Sequence, residues 1–369
     1  MVDVRANIAN RLNAPFVALA GLALLGALWA ALVRVGWNLP ELPIPIAGQH
    51  GPLMISGFLG TLVSLERAVA LKWRWTYGVP LLSGVGAISL LLDVPPIVGR
   101  GLIALGALGL TLLSVRMYRL RPALYVATMG LGALLWLSGS GLWWAGWSTY
   151  RAVPWWAGFL ILIIAGERLE LARVLMPGRA SRIVFTLAVS LFLIGLLISL
   201  VSFELGLMMG GAGLVALGAW LLRNDIARRT IRKSGLTRFI AVCLLPGYVW
   251  LIVGGGLWLA FGVQYTNGMI YAAMLHSLIL GFVFSMNLGH APIIIPAVMN
   301  IEVDYRPVFY AHLGLLHVSL IVRVAGDLVG SAPLRMWGGL FNVIAVLIFL
   351  PIMARSMRRR PKAVPYSTA

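Results

Sequence analysis

Five histidines are the residues of this chain whose type and spacing could do chemistry. Four of them, His276, His290, His312 and His317, lie between Met274 and Arg323, in two apolar segments each long enough to cross a bilayer. The fifth, His50, opens another apolar segment. Ionisable side chains at membrane depth are costly and are read as functional by default. A lone histidine there is readily explained as hydrogen-bonded packing, but a group of this density is harder to explain so. Neutral imidazole ligates metals, and in an apolar helical setting the metal it suits best is haem iron. His50, His276 and His317 are the expected metal ligands, with His290 and His312 next. No Cys-x-x-Cys-His stands in the chain for covalent attachment, so the expected cofactor is haem b. No nucleophile–base constellation and no phosphate loop is visible, and no catalytic residue is assigned.

The elements that must position these imidazoles are membrane helices. Of the 369 residues 60% are hydrophobic and only 11% charged, with a mean hydropathy of +0.94. Runs of ~20 apolar residues recur from end to end, which marks a polytopic α-helical membrane protein. The short alternating strands of a β-barrel are absent. The expected class is therefore all-α, a single transmembrane domain over residues 1–369. Twelve spans are predicted, at 14–35, 50–71, 77–97, 99–118, 122–146, 153–174, 181–203, 206–222, 237–261, 267–290, 307–329 and 334–354. The junction of the third and fourth is crowded by Asp93, Pro95, Pro96 and Arg100. The first run follows Arg5 and Arg11 without a convincing cleavage site and reads as a retained helix. Cys243 is the only cysteine, which excludes an internal disulfide and a cysteine metal cluster.

Charge sets the orientation. A net charge of +18 would suggest nucleic acid in a soluble protein. Here the cations fall in alternate loops, at Glu66–Arg74, Arg116–Arg121, Arg168–Arg182 and Arg223–Arg238, and in the tail from Arg355 to Lys362. The intervening loops hold little beyond Glu41, Arg100, Arg151, Glu204 and Arg335. That alternation puts both termini in the cytoplasm, in an inner membrane, with lipid and not nucleic acid as the partner. Tryptophans at 73, 75, 143, 144, 147, 155 and 156 fall near predicted interfaces, as an aromatic belt would. Small residues in span two, among them Ser56, Gly57 and Gly60, suit close helix packing.

Depth along each span narrows the ligand sets. His50 lies at the outer end of span two. His276 is roughly 13 Å below the outer edge of span ten, and His290 about 21 Å deeper at a similar azimuth. His317 is about 15 Å into span eleven. His276 and His317 thus reach similar central depths on consecutive spans, while His290 and His312 match near the cytoplasmic side. His312 and His317 are turned by ~140° from one another and cannot both face one metal. His290 opens His-Ala-Pro-Ile-Ile-Ile-Pro, whose prolines read either as a break in the helix or as its end. Arg323 is the expected partner of a haem propionate, because guanidinium binds carboxylate bidentately; the alternative is an ion pair with Asp327. Glu66–Arg67 and the Glu167–Arg173 stretch read either as groups snorkelling to the interface or as a carboxylate–arginine network on a proton path.

Together these segments resemble the NnrS family of membrane haem and copper proteins associated with nitric oxide and denitrification. The resemblance rests on GQHGPLMISGFLGTLVSLERAVAL in span two, MLHSLILGFVFSMNLGHAPIIIPAV in span ten, and the Gly-Glu-Arg end of span six. It covers the chain in topology and about a quarter of it in motif. Span two opens here with one histidine where that family has a His-x-His-Glu arrangement. The resemblance implies haem, copper as a further metal, and nitric oxide or another small diatomic ligand. A wider similarity is to the catalytic subunit of haem–copper oxidases, whose adjacent His-His pair has no counterpart here.

The leading expectation is a haem-binding membrane protein of nitrogen-oxide or respiratory redox metabolism, with a quinol or a cytochrome as electron partner. The alternative is a proton-coupled transporter using the same histidines and the buried Glu and Arg. A third is an assembly protein without a ligand.

Overall fold

The structure, a computed structural model, describes residues 2–40, 44–92, 94–175, 178–299 and 301–358, with the side chains of the first helix from Asn13 onward. Glu41, Asp93 and the basic tail beyond 358 lie outside the described residues. The chain is helical almost throughout. In order the helices are α1 (Val2–Val35), α2 (Ile46–Leu71), α3 (Gly78–Ser89), α4 (Pro96–Leu120), α5 (Leu124–Trp144) and α6 (Thr149–Ala172). The second half adds α7 (Arg179–Ile198), α8 (Phe203–Asn224), α9 (Gly235–Phe261), α10 (Gly268–Met299), α11 (Phe309–Val329) and α12 (Ala332–Ser356). Ten of the helices among the described residues are long and apolar enough to cross a membrane. The chain is a multi-pass, all-α membrane protein.

Helix ends follow local chemistry. Pro96 occupies the first turn of α4, where its missing N–H costs nothing. Asn267 caps α10 by accepting from the Met269 N–H at 3.1 Å. Gly330, at φ +73°, closes α11 in a left-handed conformation that a side chain would resist. α3, with 12 residues, spans only ~18 Å and stops short of the proline-rich junction. Neither the break nor the helix end read at Pro292 and Pro296 occurs: α10 runs through both prolines to Met299. Beyond it, Glu302–Val303 pairs antiparallel with Met357–Arg358, tying the ends of α10 and α12 together.

Neighbouring helices pack as hairpins, α5 on α6, α8 on α9 and α11 on α12 most extensively. α6 is the core: every residue from Ala152 to Gly166 is buried. Trp143, Trp155 and Trp156 are buried as well, against the expectation of an interfacial belt. Trp156 donates to Ser140 Oγ at 3.2 Å, and Trp143 meets it edge-on at 5.3 Å. Trp75 and Trp144 do stay exposed. Gly60 admits the Trp136 ring, and Ser56 accepts its indole N–H at 3.0 Å, so the small residues of α2 serve packing.

Two helices depart from regular geometry. α2 opens into π-helical turns over Leu53–Leu59, and α10 does so over Ser277–Phe284. Each widened stretch begins within a turn of a histidine, His50 in one case and His276 in the other. Wide turns of this kind are rare and concentrate at functional sites. Both stretches pack against α6.

Candidate functional site

The end of the bundle remote from the described chain ends, here the distal end, holds a cavity of ≈ 330 Å³ between α1, α2, α6, α10, α11 and α12. His50 and His276 both line it. Their rings are near-parallel, 12° apart in plane, with centroids separated by 6.1 Å. His50 Nδ1 lies 2.9 Å from the Ala27 carbonyl of α1, and His276 Nδ1 lies 2.7 Å from the Ala272 carbonyl one turn back. A carbonyl only accepts, so each Nδ1 carries the proton and each Nε2 keeps its lone pair. Anchoring of the far ring nitrogen in this way orients an imidazole as a metal ligand. At about 2.0–2.1 Å per bond, one metal ion shared by two imidazoles would hold their ring centres roughly 5–6 Å apart. Met54, one turn along α2 from His50, also lines the cavity.

The rest of the wall divides in two. Toward the bundle interior it is apolar, with Leu28, Ile55, Leu275, Ile279 and Val346. Toward the distal end it carries three guanidinium groups, Arg34, Arg323 and Arg335. Arg323 is 4% exposed, and its nearest acidic oxygen is on Asp327, 4.0 Å from Nε. The other Asp327 oxygen is 3.3 Å from Arg335 Nε. Neither pair is aligned as a hydrogen bond. Arg34 reaches the Tyr150 hydroxyl at 3.5 Å and lies over the Tyr271 ring at 5.8 Å. The i,i+4 pair of Arg323 and Asp327 read from the sequence is thus a loose triad with Arg335.

The other three histidines are elsewhere, and the expected pairing of His276 with His317 is corrected. Trp250 Nε1 donates to His317 Nδ1 at 3.1 Å. The opposite nitrogen, Nε2, is 3.3 Å from Ser285 Oγ, which donates in turn to the Cys243 carbonyl at 2.6 Å. Both nitrogens of His317 are engaged, and it lies away from the cavity as a bridge between α9, α10 and α11. His312 is buried among Phe239, Phe309 and Phe349, with ring centroids 5.3–6.2 Å away and no hydrogen-bond partner on either nitrogen. It is not paired with His290. Among the described residues no group of three or more His, Cys, Asp or Glu side chains comes together to hold a metal. The cavity therefore offers two imidazoles, and no third described side chain of these types, to whatever it holds.

His290 belongs to a second polar system at the opposite, proximal end. Arg168 forms a bidentate pair with Asp225, at 2.7 and 3.0 Å, and its third nitrogen donates to His290 Nε2 at 3.1 Å. His290 Nδ1 donates to the Met286 carbonyl at 2.8 Å. Next to Arg168 on α6, Glu167 pairs with Arg67 of α2. Arg168 is 4% exposed, so it is a network member and does not snorkel.

Arg34, Arg335, Tyr150 and Tyr271 were not singled out in the sequence. A signal existed for Arg335: it is one of the few cations in the loops that the positive-inside rule leaves poor in charge.

Fold and site together define a multi-pass helical membrane protein with a cavity whose interior carries paired imidazoles and whose mouth carries guanidinium groups. The chain belongs to the family described as a domain of unknown function, DUF8744, whose model matches residues 11–358. No curated protein matches it.

Proposed function

We propose that this protein binds haem b in the distal cavity, where His50 and His276 would hold it, and that it relays electrons in the inner membrane. The observation that carries this reading is the near-parallel imidazole pair at 6.1 Å, each ring tied to a carbonyl through Nδ1. A haem held by these two residues would supply one-electron transfer. With both cavity imidazoles engaged in holding it, the site favours electron transfer over capture of a diatomic such as nitric oxide. The role therefore lies with electron transfer to or from a quinol or cytochrome, in respiratory or nitrogen-oxide metabolism as in the NnrS-like proteins it resembles. If α3 with its flanking residues and α6 cross as well as the ten apolar spans, the count is twelve, and the basic loops would put the distal cavity on the outer face and both termini in the cytoplasm.

A second reading keeps the same pair and exchanges the metal. Met54 stands beside His50 at the cavity wall, and two imidazoles with a thioether suit Cu(I).

The test is the absorption spectrum and metal content of detergent-purified full-length protein expressed with ample haem. A Soret band and one iron per chain are expected, with the low-spin spectrum lost in His50→Ala and in His276→Ala. Copper without iron would select the second reading. Folded, colourless protein without either metal would overturn both and favour the proton-coupled transporter.

A further inference from the structure

We propose that the mouth of the distal cavity is a binding site for a dianion, a ligand that presents two carboxylate groups at one edge to Arg34, Arg323 and Arg335. The cavity was placed above by its imidazoles; the anion site stands on different atoms. Three guanidinium groups line one end of the cavity, and among the described residues Asp327 is the one carboxylate paired with any of them. Among the described residues, one negative charge faces three positive, which leaves two cations without a counter-ion there. His50 and His276 face the same space and, protonated on Nδ1 only, are neutral.

Arg323 makes the argument specific. It is buried, it lines the cavity, and it makes no hydrogen bond with the protein; its one ion pair is 4.0 Å long. A guanidinium has five N–H donors, and burying a charge without partners is strongly unfavourable. Asp327, its neighbour, has both oxygens buried and unaligned with any donor. Such a triad is incomplete as a structural ion pair and complete only with acceptors placed in the cavity. Arg34, at the mouth, is the exposed member of the three.

The shape of the wall selects among anions. A small inorganic ion would satisfy the arginines and leave the apolar interior wall unfilled. A ligand with an apolar body directed at His50 and His276 and two carboxylates at its outer edge fills both regions. A porphyrin with two propionates has that chemistry, and so in part does a free dicarboxylate. The porphyrin source rests on the haem reading above; the dianion site does not.

The experiment compares haem b with its dimethyl ester, which has the same ring and no charge, on haem-stripped full-length protein in detergent. Succinate is titrated separately by calorimetry. Wild-type protein should hold haem b at least about tenfold more tightly than the ester, from charge-assisted bonds of ~1.5 kcal/mol or more. Arg34→Gln and Arg323→Gln should each bring haem b toward the affinity of the ester and leave ester affinity unchanged. Arg34 is exposed, so its variant keeps the test open if Arg323→Gln does not fold. Equal affinity of wild type for haem b and ester would overturn the dianion site and leave the haem reading standing. Failure of both porphyrins, with succinate bound in an Arg34-dependent manner, would overturn the haem reading and support the dianion site. Failure of porphyrins and succinate alike would overturn the site.

Discussion

His317 offers the sharpest contrast between a ligand and a structural bridge. Its central depth makes it a natural metal ligand on sequence grounds, yet the structure engages both of its nitrogens. Replacing it with alanine removes the acceptor of Trp250 Nε1–H and the contact with Ser285, while Ser285 keeps its bond to the Cys243 carbonyl. An orphaned buried donor costs ~1–3 kcal/mol. Side-chain hydrogen bonds in membrane proteins average ~0.6 kcal/mol because the unfolded state within the bilayer also finds partners. The expected loss for His317→Ala is therefore about 1–3 kcal/mol, seen as a fall of several degrees in the thermal midpoint of detergent-solubilised protein. Trp250→Phe removes the donor, so the double variant should be less destabilised than the sum of the singles, by about 0.5–1.5 kcal/mol. Cofactor content per folded chain should be unchanged in all three. Loss of a haem band in folded His317→Ala, or strict additivity of the two substitutions, would refute the bridging role.

Further expectations concern packing, charge and topology. Gly60→Val should abolish or severely reduce folded yield: a Cβ at Gly60 would lie 2.5 Å from the Trp136 ring, which cannot retreat because it stacks on Phe159 at 4.8 Å and bonds to Ser56. Arg168→Met should cost about 3–5 kcal/mol by leaving Asp225 buried and unpaired, and adding Asp225→Leu should restore most of it in thermal melts. Glu167→Gln should cost much less, since its side chain is 32% exposed. Reporter fusions in the Arg223–Arg238 loop should be cytoplasmic, and fusions in the loop between α5 and α6 should be outside; the reverse result would invert the placement of the cavity.

The architecture is legible in the sequence because most of the helices are long, apolar and separated from the next by charged or turn residues. Ten of the helices show that character directly, and α3 is short at the junction whose crowding by Pro95, Pro96 and Arg100 was visible. Position along each helix reads from the sequence: His50 opens α2, and His276 lies two turns into α10. Lateral packing does not. His276 was set beside His317 because α10 and α11 follow one another, but the neighbour that supplies its partner is α2, more than two hundred residues earlier. Azimuth failed for a separate reason. The reading assumed ~100° per residue along α10, and the π-helical stretch from Ser277 to Phe284 turns less per residue. His276 and His290, on either side of that stretch, serve different polar systems. Arg323 was singled out by its burial in an apolar span, whereas Arg34 and Arg335 lie at helix ends and look like ordinary loop cations.

The two polar systems share one support. α6 is buried along nearly its whole length, its first turn brings Thr149 and Tyr150 to the distal cavity, and its last turns bring Glu167 and Arg168 to the proximal network. The widened turns of α2 and α10 both pack on it, and Phe58 and Phe284, one from each widened stretch, meet at 6.1 Å. An extra residue per turn in both helices is costly in regular packing, so the same irregularity after both cavity histidines has to be compensated by what it positions. What it positions is a pair of rings on two helices otherwise separated in sequence, held at one spacing with nearly parallel planes. Side chains on α2 and α10 alone could slide past each other; fixed against α6, the two helices keep the imidazoles in register at the distal end. The proximal ends of the same two helices are pinned to α6 by Arg67–Glu167 and by His290–Arg168. A rigid frame of this kind suits a site that holds a cofactor without large rearrangement, because small changes in ligand geometry are what an electron-transfer centre must avoid.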